Sequence, residues 1–147
     1  MHFQFDFRLH VDRSTMSGTQ YFELLPGRYT GKHWNQQSRF IHEYTFCLIE
    51  GIIEKHVPGY DHWGFVIASR QSWETVLLDL VSLRATLEEP NRSSQLTLPY
   101  GGALRVQESF EISSQGNERS LAKFIFDLDQ WLHETLKVQE HISVLGL

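Results

Sequence analysis

The sequence predicts an α+β fold: one domain spanning residues 1–147, with a mixed β-sheet of about five to six strands carrying three main helices. Three observations predict it. Phe3, Phe5, Phe7, Leu9 and Val11 alternate with polar neighbours, the period of a strand with one buried face. Two apolar series, Trp73-Val76-Leu77-Leu80-Leu83-Leu87 and Leu121-Phe124-Ile125-Leu128-Leu132-Leu136, keep helical spacing. Short apolar runs at 62–68 and 142–147 have the length of strands returning to a sheet.

A chain of 147 residues, 41% hydrophobic and 21% charged, is long enough to bury a core without disulfides. Its one cysteine, Cys47, has no internal partner, which fits a reducing compartment. No apolar run reaches the ~18 residues that span a bilayer, and residues 1–6 lack the basic start of a signal peptide. The expected location is the cytoplasm.

The elements follow in order. After the strand at 3–11 comes a polar turn at 12–18, then a second strand at 19–25 closed by Pro26-Gly27. Residues 31–37 read as an ordered loop anchored by Trp34. The first helix is expected over 38–56, where Phe40, Ile41, Tyr44, Leu48, Ile49, Ile52 and Ile53 cover most of the circumference. Pro58-Gly59 ends it. The run at 62–68 is apolar on both faces and suits a central strand. Ser69 or Ser72 can cap the second helix, which Glu88-Glu89-Pro90 stops. Residues 96–98 and 104–112 flank Pro99-Tyr100-Gly101-Gly102 as a hairpin, with Glu108 either a paired buried carboxylate or re-aimed by a bulge. Asn117 caps the third helix, whose Phe126 lies off the stripe, and a last strand ends the chain.

No catalytic motif is complete. His42-Glu43 opens like a zinc-protease helix, but Phe46 stands where the second ligand histidine belongs. Cys47 lies among apolar residues and reads as a packed thiol. Asp61-His62 is the best acid–base pair, with a turn role for Asp61 the stronger reading. No metal and no cofactor is expected.

The net charge is -5, unevenly spread: five bases and three acids in residues 1–39, eight bases and fifteen acids in 40–147. Neither nucleic acid nor an anionic membrane suits such a surface, since neither would release counterions to it. A basic protein partner does. On one continuous helix Glu43, Glu50 and Glu54 fall within roughly 20° of one line. Glu50 and Glu54 repel at i, i+4, a cost that a docking stripe for a basic partner would explain. Glu88, Glu89, Glu108 and Glu111 extend the stripe if the fold brings them near.

Several segments resemble immunity proteins of bacterial polymorphic-toxin and contact-dependent growth inhibition systems. They are Trp34-Asn35, Phe40 opening a helix, Asp61-His62-Trp63-Gly64 before a strand, Trp73 with Leu77 and Leu80, and Trp131-Leu132 with Ile142-Ser143-Val144-Leu145-Gly146. The similarity spans roughly residues 34–147. It implies a small cytoplasmic protein, often acidic, that binds one cognate toxin domain, commonly a nuclease, and blocks its active site. It carries over no catalytic residue. The expected partner is a basic toxin domain, met by Glu43, Glu50, Glu54, Glu88 and Glu89. The alternatives are a small enzyme using His62 with Asp61, and a homo-oligomeric adaptor joined through Phe126 and Trp131. Oligomeric state is left undetermined by the sequence.

Overall fold

A computed structural model describes residues 4–89, 98–101, 106–107, 110 and 114–147. Strands β1 (Tyr21–Pro26) and β2 (Arg39–His42) come first, then helices α1 (Glu43–Cys47) and α2 (Glu50–His56). Strand β3 (Phe65–Ser69) leads into α3 (Arg70–Glu88); α4 (Ser114–Leu136) and β4 (His141–Leu145) complete the order. The strands form one sheet in the order β2-β1-β4-β3, every neighbouring pair antiparallel. The class is α+β as expected, but among the described residues the sheet has four strands, not five or six, and none is parallel. Four α-helices whose bounds lie among the described residues, not three, accompany it.

Register divides the side chains cleanly. Phe22 pairs with Ile41, Leu24 lies opposite Val144, and Ala68 lies opposite Ile142, so these share the inner face. They are buried with Trp73, Val76 and Leu80 of α3 and Leu121, Phe124, Ile125 and Leu128 of α4. Both helical series point inward at every predicted position. Ser69 caps α3, its hydroxyl accepting from Ser72 N at 3.2 Å. Trp73 donates its indole N–H to Ile142 O at 3.0 Å, which ties α3 to β4 without stranding a buried donor. Residues 114–116 extend α4 one turn ahead of Asn117.

The outer face is covered by the chain itself. Between β1 and β2, residues 27–38 cross the sheet as a strap. Glu23 is buried there, and its carboxylate accepts from Trp34 N at 2.7 Å, Asn35 N at 3.0 Å, Asn35 Nδ2 at 2.9 Å and Ser38 Oγ at 2.5 Å. Four donors meet the need of a dehydrated carboxylate. They also hold Trp34 at φ 62, a left-handed conformation that a tryptophan rarely adopts. Ser143 fastens the strap's other end, accepting from Tyr29 N at 2.9 Å and donating to Gly27 O at 2.8 Å.

Four expectations are corrected. Residues 4–11 form no strand: among the described residues they meet the sheet through a bridge from His10 to Phe40, and Phe3 lies outside the described residues. Residues 38–56 are not one helix: 39–42 form β2, and a turn at Leu48-Ile49 separates α1 from α2. β3 lies at the sheet edge, and β4 takes the central place. Of the hairpin, Val106, Gln107 and Phe110 are helical; Leu96, Thr97, Leu104, Glu108 and Glu111 lie outside the described residues.

Candidate functional site

The break between α1 and α2 decides the fate of the acidic line. Glu50 opens α2 but is fully buried, and Glu43 is mostly covered. Both point at His62, which enters from the turn before β3. The ring donates Nε2–H to Glu43 Oε2 at 3.0 Å and Nδ1–H to Glu50 Oε2 at 2.5 Å. Tyr60 Oη also donates to Glu50 Oε2. Burial alone would lower the His62 pKa, but the hydrogen bonds and charges of Glu43 and Glu50 overcome it and raise it. A protonated ring can donate to both carboxyl groups at once, which is the form the raised pKa favours. Burial and Glu50 together raise the Tyr60 pKa, and the Cys47 thiol is pushed up to about 12 by burial, then Glu50 and Glu43. Cys47 is thus a buried, inert thiol, as its neighbours in sequence suggest.

This cluster corrects the docking stripe. Only Glu54 of the three is exposed; Glu50 cannot meet a partner, and the charges of Glu43 and Glu50 are spent on His62. Asp61 is not the partner of His62. Its carboxylate accepts from Trp63 N at 2.9 Å and its carbonyl from Gly64 N, which is the turn role read from the sequence.

Glu88 and Glu89 lie elsewhere, at the C-terminal end of α3. They line a groove of about 870 Å³ with Arg84, Leu87, Glu118, Arg119, Ala122, Lys123 and Phe126. Arg84 holds Glu88 at 3.0 Å and lies 5.0 Å from the Phe126 ring centroid. Phe126 is thus half-covered by a guanidinium. Trp131 carries Arg39 in the same way at 5.5 Å, so neither aromatic offers a bare self-pairing face.

Beside this groove runs a feature that the buried-face pattern concealed. Leu78 and Val81 are 72% and 48% exposed. With Glu74, Ala85 and Glu88 they recur at spacings of four, three, four and three, so α3 presents a second seam to solvent. Glu74 and Glu89 have no ion pair among the described residues. The signal was present in the sequence, but Trp73 to Leu87 already accounted for one face.

A second histidine cluster fastens the N-terminal segment. His10 is buried, with Nδ1 2.7 Å from Thr15 Oγ1 and Nε2 2.8 Å from Asp6 Oδ2. The order hydroxyl–imidazole–carboxylate is that of a nucleophile and its base. Nucleophilic chemistry also needs oxyanion donors, and the nearby Ser14 N and Ser17 N are taken by Asp12 Oδ1 and Tyr21 Oη. A second groove, about 740 Å³, lies between this segment and α4, lined by Asp6, Arg8, His42, Arg119 and Lys123 among others. Among the described residues, His42 is the only histidine lining either groove, and no group of three or more described His, Cys, Asp or Glu is placed to hold a metal ion. No helix among the described residues is long and apolar enough to cross a membrane. Comparisons of the chain with protein-family profiles, curated proteins and solved structures returned no match.

Proposed function

We propose that this chain is a binding protein that neutralises a bacterial toxin domain in the cytoplasm, and that it docks the toxin on the solvent face of α3 and the adjoining groove. The observation that supports this most is the second seam. A helix that has already buried one apolar stripe gains nothing for folding from Leu78 and Val81 in water. Such a stripe is what a partner covers, with apolar anchors at the centre and charges at the rim.

The acids around it set the partner's chemistry. Glu74 lies at one end of the seam and Glu88 and Glu89 at the other, and Glu54 is exposed on α2, whose Lys55 and His56 reach Asp79 of α3. A basic surface, such as the cleft of a nuclease, complements that arrangement, and the rim acids speed its approach. Glu43 and Glu50 leave the proposed surface; Glu54, Glu88 and Glu89 remain, and Leu78, Val81 and Glu74 join them. An enzyme built on His62 has less support, because both ring nitrogens are held by carboxylates and none is left to carry a proton to substrate.

The test is to express whatever toxin-like domain a neighbouring gene encodes and titrate it calorimetrically with this chain; a locus with no such domain would count against the proposal. The pair Leu78→Asp and Val81→Asp should weaken binding at least about thirtyfold, the loss of about 2 kcal/mol expected at a central anchor. The pair Glu74→Lys and Glu89→Lys should slow association and flatten its salt dependence. Wild-type affinity in the Leu78/Val81 variant would remove α3 from the interface.

A further inference from the structure

The ring of His62 makes two contacts that a neutral imidazole cannot make together. Nε2 meets Glu43 Oε2 at 3.0 Å and Nδ1 meets Glu50 Oε2 at 2.5 Å, and a neutral ring carries hydrogen on one nitrogen only. Without the second proton a bare nitrogen would face a carboxylate oxygen at one of these distances, lone pair against lone pair. One contact then has to open. Exposure decides which. The Glu50 side chain is 1% exposed, and His62 is its one ionic partner among the described residues. Removing that donor would strand a dehydrated charge. The side chains of Glu43 and His62 are each 17% exposed, so Glu43 can turn to water. Its backbone need not follow, because Glu43 N is held by Gln20 O at 2.9 Å.

The other groups around the ring leave this proton to it. Tyr60 donates to Glu50 Oε2, and its phenol is raised by burial and by Glu50, with Glu54 adding to the effect. The Cys47 thiol, pushed up to about 12 by burial, Glu50 and Glu43, stays protonated as well. Asp61, next to His62 in the turn, spends its carboxylate on Trp63 N. From β1 comes the apolar ring of Phe22, 5.0 Å away, and beyond β4 Leu147 N donates to His62 O at 3.2 Å. His42 feels Glu43 too, but burial lowers its pKa, so its ring is neutral where His62 still holds two protons. The outward end of the cluster is Trp63, 70% exposed, whose ring meets His62 edge-on at 4.7 Å between ring centroids.

We propose that His62 is a proton-operated latch. With both nitrogens protonated it ties Glu43 to Glu50; on giving its Nε2 proton to water it keeps Glu50 and releases the Glu43 carboxylate to solvent beside Trp63. The charge moves as well as grows. Two carboxylates against one imidazolium leave one negative charge in the cluster, and the neutral ring leaves two, one of them at the surface. Burial pulls the His62 pKa down and the two carboxylates push it up further, so release comes above the ordinary 6.5. The face around Trp63 thus gains an exposed acid as pH rises, whether or not α3 meets a toxin.

The test is nuclear magnetic resonance of the ¹⁵N-labelled chain between about pH 5 and 9, following the His62 ring nitrogens and the Trp63 indole signal. Both ring nitrogens should carry hydrogen at the acid end; at the alkaline end Nδ1 should keep it and Nε2 should be bare. The Trp63 signal should move with the same midpoint, above 6.5. In Glu43→Gln the side-chain amide can donate to a neutral ring, so both contacts survive without the second proton, and the midpoint should fall by about one pH unit or more. His62→Gln should leave the Trp63 signal flat across the range. Any of four results would overturn the proposal: a bare Nδ1 in the neutral ring, a ring that does not titrate in this range, an unchanged midpoint in Glu43→Gln, or a Trp63 signal that still titrates in His62→Gln.

Discussion

Glu50 carries more of this structure than its place on a helix suggests. It accepts from His62 and Tyr60 through one oxygen, while the other, Oε1, is buried without a hydrogen-bond partner among the described residues. Gly101 lies directly over it. A Cβ on Gly101 would stand 2.6 Å from Glu50 Cβ, and Gly101 N donates to Cys47 O at 2.8 Å, so the backbone cannot retreat without losing that bond. Gly101→Ala should therefore cost about 1–3 kcal/mol in chemical denaturation, the range for overpacking a filled interior. Glu50→Ala should cost about 3 kcal/mol. That is the low end for breaking a buried ion pair, because His62 can shed its proton once Glu50 is gone. A Glu50→Ala chain as stable as wild type would show that the cluster holds nothing together.

At the scale of elements, α3 has two faces that adjacent leucines separate. Leu77 is buried and Leu78 exposed. Leu77→Ala should destabilise by about 2–5 kcal/mol, as core truncations do, whereas Leu78→Ala should stay within about 0.5 kcal/mol. Equal losses would mean that the seam is covered within the monomer. Legibility in the sequence followed the same logic. The inner stripes of α3 and α4 were readable because one buried face gives one period. The terminal strand was readable from its apolar run at 142–147; the sheet takes in His141–Leu145 and leaves out Gly146 and Leu147. The stretch 38–56 was not, because apolar residues all around the circumference carry no period and hide the passage from β2 through α1 to α2. The alternation of Phe5, Phe7 and Leu9 reported neither pairing nor a single buried face: those three are half-buried, Val11 is exposed, and the polar His10 is the buried residue. That segment is held by side chains instead, with Asp6 on His10 and the Thr45 hydroxyl on Asp6 O at 2.7 Å. The convergence of Glu43, Glu50, Tyr60 and His62 depends on a turn and a crossover, which no local pattern encodes. Only the acids were visible, and their burial was not.

For the whole molecule, two histidines make pH act in opposite directions. His62 has a raised pKa between its carboxylates, so its stabilisation is complete below the unfolded value of 6.5 and is lost as pH rises through the folded one. His42 has a lowered pKa, chiefly from burial, against the opposing charges of Asp6 and Glu43. Its neutral ring suits its place, because Nδ1 accepts from Tyr44 N at 3.2 Å to cap α1. Protonating it in the unfolded chain alone costs stability, so its contribution grows as pH rises toward 6.5. The two windows meet at 6.5: stability rises toward it from below through His42 and falls above it through His62, so melting temperature should pass through a maximum near pH 6.5. Each single variant should uncover the other histidine. His62→Gln should keep only the rise below 6.5, and His42→Asn, which keeps a capping side chain, only the fall above it. Further down, Asp79, held below the usual carboxylate range by His56 and Lys55, and Asp6, lowered by Arg8 and His10 against its burial, give the acid limb. Their contribution is present above 3.8 and falls away as pH drops through the folded values. Melting curves of the three chains in matched buffers decide the matter: parallel pH profiles for wild type, His62→Gln and His42→Asn would mean that neither ring changes charge on folding.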